Sequence, residues 1–262
     1  MFARLALFIA LCTAGTAVCA APPSKTLTEE IIALSGITDQ FDEVQRLAVG
    51  EIDNRKDAMT SKDYEQLRTK LGAQFDPAKM RADVVDVFME HGDATKLQQW
   101  RNELQSPIMT RMRTLEQAAS SDAAYQATIE FGRQLEQTPP SETRVTLVTQ
   151  LAKSTAALDL ALDSHLAVTR ALLRHINPTL PENKLLDAKK ENAILQDMRV
   201  QLAEQMNDVA TVTYLYTYRD VSDADLRDYL GRYDSDLGRW ATELTARAVR
   251  KALQSAVGSN PK

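Results

Sequence analysis

The side chains that most often do chemistry in proteins are sparse in this sequence. It has three histidines, His91, His165 and His175, and no two of them share the four-residue spacing of a zinc-binding helix. His91 stands at the end of a predicted helix, where we interpret it as a capping residue. His165 lies near Asp159 and Asp163, which would suit a proton relay, but we expect these carboxylates to form the solvated face of an amphipathic helix.

The acidic residues give no clearer sign of a catalytic or metal site. Asp220, Asp223, Asp225 and Asp228 are close in sequence, as calcium ligands often are, but the glycine and final glutamate of an EF-hand loop are missing. We interpret them as carboxylates near helix N-termini. The sequence also lacks a nucleophile elbow, a P-loop and a dinucleotide-binding glycine motif. We therefore predict no catalytic residue, no metal site and no cofactor.

Aromatic residues are the other group that could form a site. Six of them fall within one C-terminal stretch: Tyr214, Tyr216, Tyr218, Tyr229, Tyr233 and Trp240. Aromatic side chains at helical spacing usually pack in a core, which is the interpretation we favour. The alternative is that they line an open groove for a ligand, and the sequence alone leaves both interpretations open.

Caps and prolines predict that helices carry all of these residues. Residues 26–29 match a capping box, Asp76 precedes a proline at a first helical position, and Ser141 follows the double proline at residues 139–140. Between such boundaries, apolar residues recur with the period of a helix. We predict an all-α fold that is more than ~65% helical, against about one third in an average globular protein.

Residues 209–218 are the one segment that also suits a strand. They are rich in β-branched residues, and three tyrosines alternate there as in a strand. However, Val209, Val212 and Tyr216 also share one face of a helix, and no second segment offers itself as a partner strand. We therefore predict a helix here.

The chain resembles itself when it is shifted by 129 residues. The shift pairs Leu97 with Leu226, Trp100 with Tyr229, Ser106 with Ser235, and Leu115 with Leu244. Any two amphipathic helices share such spacing, but the helix restart at the two serines favours a duplication. We predict two tandem helical repeats of about 120 residues, the first over residues 21–140 and the second over residues 141–262.

The second repeat contains a pattern that resembles a known family. The pattern comprises Val221, Ser222, Asp225, Leu226, Tyr233, Ser235 and Gly238. Over residues 214–245 the chain resembles the domain of unknown function 2059 family of bacterial exported proteins. The first repeat departs from the pattern, with Leu104 in place of the aromatic residue and Met109 in place of the glycine. The resemblance implies an exported helical protein with no assigned activity.

The residues of this pattern have a structural interpretation. Ser222 and Ser235 are of the type that caps a helix, and Asp225 would lie in a first turn, where a carboxylate favours the helix dipole. Gly238 has no side chain, so we expect another helix to approach closely there. We therefore interpret the pattern as part of the fold.

The N-terminal segment predicts export. Arg4 is followed by an apolar run at residues 5–11 and then by small residues up to Ala20, as in a secretory signal peptide cleaved after Ala20. A membrane anchor is the alternative, but a span needs about 20 apolar residues. We expect a periplasmic or secreted protein with no transmembrane segment after cleavage. Its mature chain would be free of cysteine, because Cys12 and Cys19 lie in the predicted signal peptide.

Charge narrows the range of functions further. The net charge is -5, from 31 basic and 36 acidic side chains, so no basic excess is present to neutralise a nucleic acid. We expect a non-catalytic module that binds an unknown protein or envelope ligand between its halves. The alternative is an envelope hydrolase or transferase that uses carboxylates, since two carboxylates about 5 to 10 Å apart can act as an acid and base pair.

Overall fold

The structure is a computed structural model that describes residues 22–258, with Asp122 described by its backbone alone. The all-α prediction is confirmed, because 86% of the described residues are helical and none of them forms a strand. The predicted signal peptide at residues 1–20 lies outside the described residues and stays a prediction. No helix within residues 22–258 has the length and apolar character needed to cross a membrane.

Twelve α-helices follow one another within the described residues, joined by short turns and three short 3-10 helices. Their bounds are α1 Lys25–Leu34, α2 Ile37–Asp53, α3 Ser61–Gln74, α4 Pro77–His91, α5 Ala94–Leu104, α6 Pro107–Ala119, α7 Asp122–Gln137, α8 Glu142–Ser154, α9 Ala157–Ile176, α10 Ala188–Thr217, α11 Asp223–Asp234 and α12 Asp236–Gly258. The longest is α10, with 30 residues, followed by α12, with 23.

Side-chain caps set several helix starts where the sequence predicts them. The Asp76 carboxylate accepts a hydrogen bond from Ala78 N at 2.9 Å before α4. The Ser141 hydroxyl accepts one from Arg144 N at 3.2 Å before α8. Each bond satisfies a backbone N–H group that the first turn of a helix leaves without a partner.

The first helix starts earlier than predicted. Its N-cap is Ser24, whose hydroxyl accepts a hydrogen bond from Leu27 N at 3.2 Å, so the capping box predicted at residues 26–29 is wrong. Both caps would satisfy N–H groups of the same first turn, and the sequence pattern alone does not distinguish them. Ile31 and Ile32 are buried, and they attach α1 to the core.

Residues 209–217 belong to α10, as predicted, and Tyr218 is its C-cap residue. The hydroxyl of Thr213 donates to Val209 O and that of Thr217 donates to Thr213 O, both at 2.8 Å. The helix packs against α7, α8 and α9. Tertiary packing therefore outweighs the low intrinsic helix propensity of this β-branched and aromatic segment.

The two halves of the chain share one core. α12, from the second half, packs against α4 and α5 of the first half, while α6 of the first half packs against α10 and α11 of the second. The buried apolar residues on both sides of the double proline form one continuous cluster. The double proline is therefore a boundary along the sequence and does not divide the core.

The duplication stays a prediction, and the paired positions compare as follows. Trp100 and Tyr229 are both buried. Leu244 is buried, whereas its counterpart Leu115 is only partly buried at the edge of the core. The 129-residue shift therefore pairs two residues of similar burial, Trp100 and Tyr229, and two of different burial, Leu115 and Leu244.

Each half also has a left-handed residue between its first two helices. Gly36 has a φ of 72° before α2, and Ala156 has a φ of 55° before α9. A glycine adopts this conformation without strain, while an alanine does so at a cost. The residues that precede these turns, Ser35 and Thr155, line the same cavity.

Candidate functional site

The pattern that resembles the exported family lies around the junction of α11 and α12. The hydroxyl of Ser222 caps α11 by accepting a hydrogen bond from Asp225 N at 3.1 Å, and Asp225 forms an ion pair with Arg111 of α6 at 2.8 Å. Leu226 is buried in the core. Ser235 accepts a hydrogen bond at 2.9 Å from the backbone N–H three residues later, at the start of α12. The two serines therefore cap helix starts, while Asp225 and Leu226 attach α11 to its neighbours.

The close approach expected at Gly238 is made by the end of the preceding helix, α11. A Cβ atom on Gly238 would lie 2.1 Å from Arg232 O and 2.6 Å from Tyr233 O. Both distances are shorter than any ordinary contact between such atoms, and both involve backbone, which cannot rotate away. A side chain at this position would therefore open the junction between α11 and α12.

The four aspartates that could suggest a calcium loop are each ion-paired with an arginine. Asp223 contacts Arg144 of α8 at 2.8 Å, and Asp228 contacts Arg232 at 3.0 Å, one turn later on α11. Asp220 and Asp225 have arginine partners as well. Within residues 22–258 no three His, Cys, Asp or Glu side chains are grouped so as to hold a metal ion.

The structure divides the six C-terminal aromatic residues into separate groups. Tyr216 contacts Phe131 of α7, with ring centroids 5.7 Å apart, and the ammonium group of Lys96 lies 5.3 Å above the ring of Trp240. The other four form a continuous chain of rings with centroids 5.3 to 6.2 Å apart. We call this set the tyrosine chain: Tyr214, Tyr218, Tyr229 and Tyr233.

Glu116 joins the tyrosine chain to the first half of the protein through hydrogen bonds, and Trp100 of α5 also contacts the chain, with its ring centroid 5.8 Å from that of Tyr233. Its Oε1 atom accepts hydrogen bonds from the hydroxyl groups of Tyr218 at 2.5 Å and Tyr229 at 2.8 Å. Glu116 is on α6, whereas Tyr218 is the C-cap residue of α10 and Tyr229 is on α11. Hydrogen bonds to a charged group are the stronger kind, so this carboxylate fixes three helices relative to one another.

A cavity of about 140 Å³ lies beside this carboxylate. We call it the Glu116 pocket; aromatic rings of Trp100, Tyr214, Tyr229 and Tyr233 contribute to its wall. The hydroxyl-bearing residues that line it are Ser35, Thr155, Thr242 and Thr245. An aromatic residue here can therefore both pack in the core and line a possible ligand site. Tyr218 and Tyr229 are buried, and Tyr229 also borders the cavity.

The phenol groups of the tyrosine chain are held in their neutral form. Burial raises the pKa of Tyr214 to about 12. Burial is also the main reason that the pKa values of Tyr218, Tyr229 and Tyr233 are raised, and the nearby Glu116 carboxylate raises all three further. Removing water disfavours a phenolate, and a neighbouring negative charge disfavours it again.

We expect the protein to lose stability in alkali because of these tyrosines. Their pKa values in the folded state exceed the value of about 10 of an unfolded chain, so their contribution to stability is fully present below about pH 10. It is lost as the pH rises towards about 12, where Tyr214 ionises in the folded protein. Urea unfolding at a series of pH values would measure the decline.

A matched pair of variants assigns this effect to the tyrosine chain. Tyr214→Phe removes one phenol with a raised pKa and should reduce the loss of stability in alkali. Tyr125→Phe removes an exposed phenol on α7 and should leave the loss as it is in the parent protein. An identical alkaline decline in the parent and the Tyr214→Phe variant would contradict the expectation.

A second cleft lies between α2 and α9 and contains Glu43, a carboxyl group with a raised pKa, as general acids often have. Its volume is about 270 Å³, and it is lined by residues that include Glu43, Ser164 and His165. Burial raises the pKa of Glu43 and lowers that of His165. The hydroxyl of Ser164 donates to Leu160 O at 2.8 Å. Among the residues that line this cleft, Glu43 is the one carboxylate, so they include no acid and base pair of the kind used by glycosidases.

The interpretation of Asp163 as a solvated carboxylate is wrong. Its side chain is only 15% exposed, and it forms ion pairs with Arg199 of α10 and Arg250 of α12. Asp159, four residues earlier, is exposed as expected. The face of α9 on which Asp163 lies is covered by two other helices, which periodicity within α9 does not reveal.

Sequence reasoning missed Glu116 and four arginines, of which Arg199 and Arg250 pair with Asp163, and Arg170 and Arg174 pair with Glu191. For Glu116 a signal was present, because it lies one turn after the buried Met112 on an apolar stripe. For the arginines the spacing of Arg170 and Arg174, next to apolar residues on α9, was a weaker signal. Neither pattern identifies the partner, which in both cases is distant in sequence.

Comparisons with known proteins identify no related protein. No protein-family model matches the sequence, and no significant match was found among curated proteins or solved structures. The resemblance to the domain of unknown function 2059 family over residues 214–245 therefore stays a prediction.

Proposed function

We propose that this protein is exported and acts as a non-catalytic binding module, with a small ligand held in the Glu116 pocket. The observation that carries the proposal is that both halves of the chain line this pocket and contribute polar side chains to it. Ligand sites commonly form at such internal interfaces. The signal peptide predicted at residues 1–20 supports export.

The chemistry of the lining favours a ligand with a positive charge. Glu116 is the one charged residue among those that line the pocket, and the aromatic rings of Trp100 and Tyr233 lie beside it. Aromatic faces and a carboxylate together attract an ammonium group. The guanidinium of Arg113 is near enough to affect the pKa of Tyr233, but Arg113 does not line the pocket, and it donates a hydrogen bond to Leu34 O at 2.5 Å.

The volume restricts the size of the ligand. A cavity of about 140 Å³ is smaller than the roughly 300 to 1,000 Å³ of sites for drug-sized molecules. It corresponds to about four or five water molecules, at roughly 30 Å³ each in the liquid. A compact methylated ammonium ion is therefore a suitable probe, and a folded peptide segment is too large.

A carboxylate-dependent hydrolase has less support. That reaction needs two carboxylates about 5 to 10 Å apart beside a substrate. The Glu116 pocket and the cleft at Glu43 each have one carboxylate among their lining residues. We therefore propose binding without catalysis.

Tetramethylammonium is expected to bind the parent protein and to bind the Glu116→Gln variant roughly tenfold more weakly. The substitution keeps the shape of the side chain and an oxygen that accepts from the tyrosines, but it removes the charge that attracts the cation. Isothermal titration calorimetry of the mature chain measures both affinities. tert-Butanol, a neutral molecule of similar shape, should bind neither protein appreciably.

The control variant is Glu130→Gln on α7, whose carboxylate is exposed and contacts Arg133 at 3.0 Å. It changes the net charge by the same amount far from the pocket and should leave the affinity unchanged. The proposal is overturned if Glu116→Gln binds tetramethylammonium as well as the parent does. Equal affinity for tert-butanol, or no binding of the cation to the parent, would overturn it as well.

A further inference from the structure

A trough distinct from the Glu116 pocket runs along α9 between α10 and α12. Its volume is about 540 Å³, within the range of small-molecule sites. α10 runs antiparallel to α9, because Arg199 of α10 pairs with Asp163 while Glu191, earlier on α10, pairs with Arg174. α12 runs parallel to α9, since Arg250 reaches Asp163 while Val257 O, later on α12, accepts a hydrogen bond from Arg174, later on α9. α9 therefore forms the floor of the trough, and the other two helices form its walls.

The charged residues lie at the two ends of this trough, which we call the arginine trough. At one end, Asp163 pairs with Arg199 and with Arg250, the latter at 2.8 Å. At the other end, Glu191 contacts Arg170 at 3.2 Å and Arg174 at 3.1 Å. Arg170 follows Asp163 by seven residues on α9, which corresponds to about 10 Å along the helix axis.

The middle of the trough is mainly apolar. The residues that line it between the two ends are Leu166, Ala167, Leu195, Gln196, Leu253 and Gln254. They include one or two apolar side chains from each of the three helices. A ligand that spans the trough would therefore have an apolar central part.

The positive charges exceed the negative ones by two. Four guanidinium groups share two carboxylates, Asp163 and Glu191. Each guanidinium has five N–H donors in a planar fork that fits a carboxylate or a phosphate, so these two acids cannot satisfy all of the donors. Arg170 also donates to Asn192 Oδ1 at 3.0 Å and Arg174 to Val257 O at 3.4 Å, but these neutral acceptors add no negative charge. The Nε atom of Arg170 is buried and lacks a hydrogen bond among the described residues, although Glu191 is 3.2 Å away. Two further acidic groups would balance the charge.

We propose that the arginine trough binds an elongated dianion with an acidic group at each end and an apolar chain between them. A medium-chain dicarboxylate has this chemistry. Its two acids would match the two excess positive charges, its length would match the separation of the charged ends, and its methylene groups would cover the leucines. The Glu116 pocket, lined by other residues, is not required for this binding.

Azelate, a nine-carbon dicarboxylate, is the probe that fits this geometry. In isothermal titration calorimetry with the mature chain, it should bind roughly tenfold or more tightly than nonanoate, which has the same length and only one acid. It should also bind more tightly than succinate, whose two acids are too close together to reach both ends. Equal affinity for azelate and nonanoate would overturn the proposal, as would the absence of azelate binding.

Two variants test the two ends separately. Arg170→Gln leaves Glu191 paired with Arg174, and Arg250→Gln leaves Asp163 paired with Arg199, so neither leaves a carboxylate without a partner. Each should weaken azelate binding roughly tenfold. Circular dichroism and thermal unfolding without ligand establish that each variant is folded, and either variant alone is sufficient for the test.

The control is Arg133→Gln on α7, which removes an exposed arginine paired with Glu130. It lowers the net charge equally and should leave azelate binding unchanged. The proposal is overturned if either folded trough variant binds azelate as tightly as the parent does. Arg250→Gln should bind tetramethylammonium like the parent protein, so failure at the arginine trough is distinguishable from failure at the Glu116 pocket.

Discussion

Replacing Leu244 by alanine is expected to lower the free energy of unfolding by about 2–5 kcal/mol. Leu244 is 5% exposed and belongs to the continuous core. It lies on α12, which packs against α4, α5, α9 and α11. Because rigid helices surround α12, the space left by the missing methyl groups would collapse only partly, and the cavity would add to the lost burial. Urea unfolding, followed by circular dichroism, measures the change.

Two controls show whether burial is the cause. Leu115, the counterpart of Leu244 under the predicted duplication, is only partly buried, so Leu115→Ala should cost less than Leu244→Ala. Asp228 is half exposed in its ion pair with Arg232, and Asp228→Ala should change the stability by no more than about 0.5 kcal/mol. A Leu244→Ala protein as stable as the parent would show that the stripe on α12 is not core.

Gly238→Ala is expected to destabilise the protein by about 1–3 kcal/mol, the usual cost of forcing extra atoms into a packed site. The new Cβ atom would lie 2.1 Å from Arg232 O and 2.6 Å from Tyr233 O. Relief would require the backbone between α11 and α12 to move. Because Tyr233 lines the Glu116 pocket, such a movement should also weaken tetramethylammonium binding. Urea unfolding and calorimetry measure the two effects.

Gly231→Ala is the matched control for this prediction. Gly231 lies inside α11, and a Cβ atom there would have no neighbour within 4 Å. The same chemical change should therefore stabilise the protein, by roughly 0.5–1 kcal/mol, because alanine has the higher helix propensity. If both variants were equally stable, the close approach at Gly238 would not be the reason for the glycine.

Most of the secondary structure could be predicted because its signals are local. A cap such as Asp76 or Ser141 acts on a backbone group two or three residues away, within reach of a short sequence pattern. Where a second cap is equally near, as Ser24 is to the predicted box at residues 26–29, the pattern fails by a few residues. The absence of a partner strand in the sequence favours a helix for the mixed segment at residues 209–218, and all of that segment except Tyr218 is helical in the structure.

The candidate sites could be predicted only in part. The tyrosines, Tyr233 among them, are recognisable as candidates from their residue type and spacing. Glu116, which accepts hydrogen bonds from two of them, is not, because it is more than a hundred residues from Tyr218. The pairing of Asp163 with Arg250 spans 87 residues. Periodicity gives the side of a helix on which a residue lies, yet it does not give the helix that will cover that side.

The sequence by itself determined that this protein is all-α, where several of its helices begin, and which faces of many helices are apolar. These properties depend on hydrogen bonds and spacing within one or two helical turns. Only the tertiary structure decided that α12 of the second half packs on α4 of the first. That packing, together with the α6 contacts, brings Glu116 to the tyrosine chain and four arginines to one trough. The physical reason is that helices of similar amphipathic pattern can pack in many ways, and the choice among them depends on the fit of the whole core.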